Sequence, residues 1–178
     1  MTDFAASEDM LSASYHPMNG VSVKSTVVPC GPWHVRIHEI ENQEAVEIAD
    51  GGFALPRERC FQVAEGRETG LFKNKDVRTT ENSLTAGFPW GTSCIVSETG
   101  YSPELIVPFS NTNLFYNLTV IPTVKAVLEP GTHVVVTSVA ADFHEGGEEL
   151  MKSKPAVEVG EHEVRVGFKG ETVTVPLK

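Results

Sequence analysis

Two imidazoles flank a guanidinium in the string Trp33-His34-Val35-Arg36-Ile37-His38-Glu39-Ile40. Apolar Trp33, Val35 and Ile37 alternate with polar His34, Arg36 and His38, the period-two signature of a half-buried strand. One face packs and the other presents His-x-Arg-x-His. A strand rises ~3.3 Å per residue, which puts His34 and His38 ~13 Å apart with Arg36 ~6.6 Å from each. Zinc bonds imidazole at ~2.0–2.1 Å, so one ion could reach both rings only with the side chains stretched along the strand, and Arg36 would repel it. Neither a metal nor a cofactor is expected. Arg36 could instead fork onto a carboxylate while His34 and His38 donate to hydroxyls or move protons near neutral pH. An acidic carbohydrate such as a uronic acid fits that row. The plain structural alternative is that the row is an outer or inter-domain face on which Arg36 pairs with a nearby carboxylate such as Glu39 or Glu41. The structural and ligand readings both stay open.

Other candidates carry less. Asn111 and Asn113, around Thr112, could bind a sugar hydroxyl, although Asn-rich turns usually satisfy their own backbone. Trp90, in Gly87-Phe88-Pro89-Trp90-Gly91, could be a stacking platform or a core plug. His133, His144 and His162 follow no spacing logic. The chain has no GxSxG, HExxH, phosphate-binding glycine loop or EF-hand. Glu145-Gly146-Gly147-Glu148-Glu149 reads as a solvated loop.

The chain has 178 residues, 40% of them hydrophobic, and a formal net charge of −10. That length suits one domain with a core. The charge opposes nucleic acid, which needs clustered Lys and Arg, and anionic membrane surfaces. Three cysteines, Cys30, Cys60 and Cys94, are widely spaced with no CxxC pair. They read as free, buried thiols in a reducing compartment. No apolar run approaches ~18 residues, so no transmembrane helix is expected. Residues 1–20 carry Asp3, Glu8 and Asp9 without the basic-then-apolar order of a signal peptide. Cytoplasm is the expected location.

These residues need strands to position them. Val21–Val28 reads as a strand, Pro29-Cys30-Gly31-Pro32 as a turn and Trp33–Ile40 as the second arm of a hairpin. Ala45–Ala49 and Phe53–Leu55 follow, then a polar stretch with short strands near Cys60–Ala64 and Thr69–Lys73. Thr92–Ser97, Leu105–Phe109 and Thr119–Leu128, the last edged at Pro122, continue the pattern. His133–Ala140 is apolar enough for burial on both faces. Glu148–Lys152 suits a helical turn, and three short strands close the chain. About ten short strands with turns every 8–12 residues mean an all-β sandwich or barrel over residues 21–178, and an antiparallel sandwich is the expectation. Residues 1–20 read as a short helical or irregular arm, with Thr2–Leu11 as the helix.

Several strings resemble the C-terminal region of a bacterial and fungal family whose longer members join an N-terminal (α/α) toroid to a C-terminal β-sandwich. They are Val23-Lys24-Ser25-Thr26, Trp33–His38, Gly51-Gly52-Phe53-Ala54-Leu55, Asn111-Thr112-Asn113-Leu114, Ile121-Pro122 and Leu128-Glu129-Pro130-Gly131-Thr132-His133. The resemblance spans roughly residues 21–140, and that layout is similar to heparinase-like and alginate-lyase-like polysaccharide lyases. It implies a sandwich whose substrate cleft would lie mainly on the toroid, with residues 1–20 as the junction.

Three functional expectations follow. The first is an accessory module, non-catalytic alone, whose row at His34, Arg36 and His38 contacts an acidic glycan or a toroid partner. The second is a small carbohydrate-active lyase or isomerase, sandwich or cupin-like, with His34 or His38 as general base and Arg36 neutralising a carboxylate. The third is a structural or homo-oligomerising domain.

Overall fold

The computed structural model describes residues 3–52, 55–56, 77–88, 91–106, 119–142 and 146–178. The elements in chain order are β1 (Asp3–Ala6), β2 (Leu11–Met18), β3 (Val21–Cys30), β4 (Trp33–Asn42), β5 (Val46–Gly51), β6 (Leu55–Pro56), β7 (Val77–Thr79), β8 (Ser83–Phe88), β9 (Gly91–Ser97) and β10 (Pro103–Ile106). They continue with β11 (Thr119–Leu128), β12 (Gly131–Asp142), the helix α1 (Gly147–Lys152), β13 (Ala156–Val159), β14 (Glu163–Phe168) and β15 (Glu171–Pro176). The expected strands near Cys60–Ala64 and Thr69–Lys73 lie outside the described residues.

Eight strands form one antiparallel sheet in the order β1-β2-β3-β4-β12-β9-β8-β7. The strands with the most apolar sequences take its middle. β12 lies between β4 and β9, and its run from Val135 to Ala140 is buried without interruption. Both faces of this sheet are covered at the centre. Trp33, Val35, Ile37, Val28 and Val136 point one way, onto α1 and the β13-β14-β15 sheet through Leu150, Val164, Val166 and Val175. Val21, Val23, Ile40 and Val135 point the other way, onto the β10-β11-β5 sheet through Ala126 and Leu128. The expected all-β sandwich is therefore present, with a third layer built from the C-terminal strands.

The turn between β3 and β4 is tighter than the sequence predicts. It is the two-residue connection Gly31-Pro32, with Cys30 paired to Trp33. Gly31 sits at φ +64, and a Cβ there would stand 3.0 Å from the Phe168 ring. Pro29 is tolerated inside β3 because the pairing with β2 reaches only as far as Val27. Pro122 does not break β11. It lies between the stretch paired with β6 and the stretch paired with β5.

Residues 1–20 need a correction. The helix expected over Thr2–Leu11 is absent among the described residues, and the arm is a β-hairpin, β1 and β2, added to the edge of the large sheet. Leu11-Ser12-Ala13-Ser14-Tyr15 alternates like a strand. The Ser7 hydroxyl accepts from the Met10 amide at 3.2 Å, and the Ser7 amide donates to the Met10 carbonyl at 2.9 Å, which closes a turn where the helix would run. Ser12 then bonds Thr26 across to β3 at 3.1 Å.

Trp33 joins the layers. It is fully buried, and its indole N–H donates to the Leu150 carbonyl at 3.1 Å and to Ser153 Oγ at 3.3 Å. The helix α1 is only six residues long, too short to be stable alone, and Leu150 is its one buried residue. Trp33→Ala removes both the packing and the pin. It should cost about 3–5 kcal/mol in urea unfolding followed by circular dichroism. A cost below about 1 kcal/mol would contradict this role.

Candidate functional site

The row His34, Arg36, His38 does lie on one face of β4, but that face is not open to solvent. β5 crosses over it. Val46 and Ile48 of β5 pack inward, and the alternation carries Asp50 to the same side. Arg36 Nη1 donates to Asp50 Oδ1 at 3.1 Å, and also to the Gly51 carbonyl through a short contact. Thr137 of β12, paired with Arg36 in the register, donates its hydroxyl to Asp50 Oδ2. His38 Nε2 stands 3.4 Å from the same oxygen. That is ion-pair range but outside hydrogen-bond geometry. On its other nitrogen, His38 Nδ1 bonds Ser25 Oγ at 2.8 Å, and Ser25 Oγ bonds the Tyr15 hydroxyl at 3.2 Å. The network crosses β2, β3, β4, β5 and β12.

The carboxylate partner of Arg36 is therefore Asp50, not Glu39 or Glu41. Glu39 points to the opposite face and pairs with Lys24 at 2.5 Å. The Asp50 side chain is 12% exposed and Arg36 is 24% exposed, so the pair is well desolvated. Burial by itself raises the Asp50 pKa. The contacts and charges of His38, the Thr137 hydrogen bond and the Arg36 charge outweigh burial and hold it below the ordinary aspartate range. At His34, burial and then the Arg36 charge both push the pKa down, which favours the neutral ring. A groove of about 300 Å³ reaches the cluster between the N-terminal hairpin and β5. Tyr15, Met18, Val21 and Ile48 line its sides, with His38 and Asp50 also on its wall.

Chemically, this arrangement neutralises itself. Both oxygens of Asp50 are in use, and Arg36 points at a protein carboxylate. An incoming carboxylate would meet a guanidinium whose Nη1 already serves Asp50 and the Gly51 carbonyl. The structure thus brings His34, Arg36 and His38 together and adds Asp50, Thr137, Ser25 and Tyr15. Trp90, Asn111 and Asn113 lie outside the described residues. No group of three or more His, Cys, Asp or Glu side chains placed for a metal occurs among the described residues. Cys30 and Cys94 are free and buried in the core, and burial raises both thiol pKa values, so they stay protonated. No helix among the described residues is long and apolar enough to cross a membrane.

The described residues thus form an all-β sandwich with a charge-compensated polar row between two of its sheets. The family described as DUF2264 C-terminal domain matches residues 2–155, and the chain belongs to it. No curated protein matches. Among solved structures, a mutant of the heparan sulfate lyase HepC from Pedobacter heparinus is similar at a TM-score of 0.60 and 9% identity, over 98% of this chain and 27% of that one. A heparinase III, the BT4657 gene product, is similar at a TM-score of 0.56 and 9% identity, over 99% of this chain and 27% of that one. At such identity the likeness concerns the fold alone. In fold, the domain resembles the C-terminal domain of heparinase-like lyases. The chain spans about a quarter of the length of those structures.

Asp50→Ala leaves Arg36 buried beside an empty site and should cost about 3 kcal/mol at neutral pH. The folded pKa of Asp50 lies below its unfolded value, so its contribution is complete above the unfolded value and is lost as pH falls through the folded one. Urea titrations from about pH 7 down to about pH 3 should show the gap between wild type and variant closing toward acid. A constant gap would contradict the assignment.

Proposed function

We propose that this chain is a β-sandwich module of a lyase-like carbohydrate-active enzyme, non-catalytic alone, whose binding partner is a helical domain. The observation that carries this reading is the fold likeness: nearly the whole chain aligns with about a quarter of a heparan sulfate lyase. The Asp50 cluster supports the non-catalytic part. A general base must reach a substrate proton within hydrogen-bond distance, and His38 is already held between Ser25 and Asp50. Arg36, the group that would neutralise a substrate carboxylate, is committed to Asp50 and Gly51. In this reading the row makes the two sheets one rigid body, and rigidity is what a surface that closes one side of another domain's cleft requires.

Contact with an acidic glycan is the second reading. His34 lies on the same face of β4, where burial and the Arg36 charge favour the neutral ring. Such contact would run through His34 rather than through a free Arg36.

The test is an assay of the purified chain on uronic-acid glycans, following the unsaturated uronate that β-elimination produces, together with gel filtration against the helical domain of a longer family member. The chain alone should form no product and should co-elute with the helical domain. Product formed by the chain alone and lost in His38→Ala would overturn the non-catalytic reading.

A further inference from the structure

The helix α1, the end of β12 and the β14–β15 hairpin enclose a groove of about 520 Å³ on the layer opposite the Asp50 cluster. Its charged lining is Lys152, Lys154, Lys169 and Asp142. The chain carries 14 Lys and Arg against 24 Asp and Glu. Among the described residues the groove is lined by three lysines and one carboxylate, and two of the lysines pair with carboxylates outside the lining, Glu98 and Glu149. The lysines come from two separate pieces of backbone. Lys152 ends α1, Lys154 follows it, and Lys169 sits at the hairpin tip. Lys169 is the only non-glycine with positive φ among the described residues, at 51°, and with Gly170 at 87° it makes the tight two-residue turn that brings the tip there.

The three lysines are not equivalent. Lys154 pairs with Glu98 at 2.6 Å, both side chains largely buried, and so acts as a strut between the C-terminal layer and the large sheet. Lys152 is 68% exposed, and its pair with the equally exposed Glu149 is of the kind that contributes little and yields to a competing anion. Lys169 lies 5.2 Å from the centre of the Phe168 ring, which also lines the groove. Two exposed ammonium groups and one largely buried one therefore line the groove together with an aromatic ring. Among the described residues no arginine lines the groove. Ammonium groups act as point charges rather than as planar forks, so they suit a group with oxygens pointing in several directions better than a planar carboxylate.

We propose that this groove binds an oxyanion ester, a sulfate or a phosphate carried on a small polar body. The site spans α1 and the hairpin tip, so its ligand ties together two elements that the large sheet otherwise holds separately. The proposal does not depend on the function proposed above.

The test is an NMR titration of the whole chain at low ionic strength with glucose 6-sulfate, glucose 6-phosphate and glucose. One or both esters should shift the amides of Ser153, Gly167 and Phe168, and glucose should not. The ester that binds more tightly identifies the source. The double variant Lys152→Gln, Lys169→Gln removes only exposed cations and leaves the Lys154–Glu98 pair intact. It should weaken ester binding by about tenfold. Binding should also fade as salt rises past ~0.15 M. No shift with either ester, or equal binding by the double variant, would overturn the proposal.

Discussion

A carboxylate buried between two sheets must be compensated there, and in this protein Asp50 is that carboxylate. Its partners come from the large sheet, while Asp50 itself belongs to the sheet packed above it. The demand for compensation therefore fixes where β5 lies over β4 and β12. The apolar contacts of Val46 and Ile48 would tolerate a small slide along the strand, whereas a carboxylate aimed at a guanidinium and a hydroxyl would not. At one end of the interface Ile40, Val135 and Leu128 supply burial, and at the other the Asp50 cluster supplies position. Asn42 adds a second polar lock, its amide donating to the Glu44, Leu128 and Glu129 carbonyls and tying the β4 end to the β11–β12 turn.

The strands were legible because the alternation of apolar and polar residues is local. Trp33–His38 and His133–Ala140 carry their burial in their own sequence, one on a single face and the other on both. The N-terminal arm was misread for a physical reason. Its alternation over Leu11–Tyr15 is short and built on small residues, and the cross-strand hydroxyl bonds that hold it, Ser12 to Thr26 and Tyr15 to Ser25, are tertiary. The third layer was likewise invisible. Three short strands can be read near the C-terminus, but not that they cover the Trp33 face.

The candidate site was half legible. His34, Arg36 and His38 declare themselves by spacing. Asp50 stands in Asp50-Gly51-Gly52, a strong turn signal that hides its place on a strand. Extending the Val46, Ile48 alternation one step would have placed Asp50 on the inner face. Even so, pairing it with Arg36 is a tertiary fact. It changes the meaning of the row: three side chains that looked like a receptor for an acidic ligand already hold an acidic residue of their own.

The central claim is that Arg36 and Asp50 form a structural pair. The most direct measurement is a double-mutant cycle of Arg36→Met and Asp50→Leu in urea unfolding. A structural pair predicts that each single variant loses much stability while the double variant recovers part of it, with a coupling energy of about 2 kcal/mol. Additivity within about 0.5 kcal/mol would contradict a structural pair.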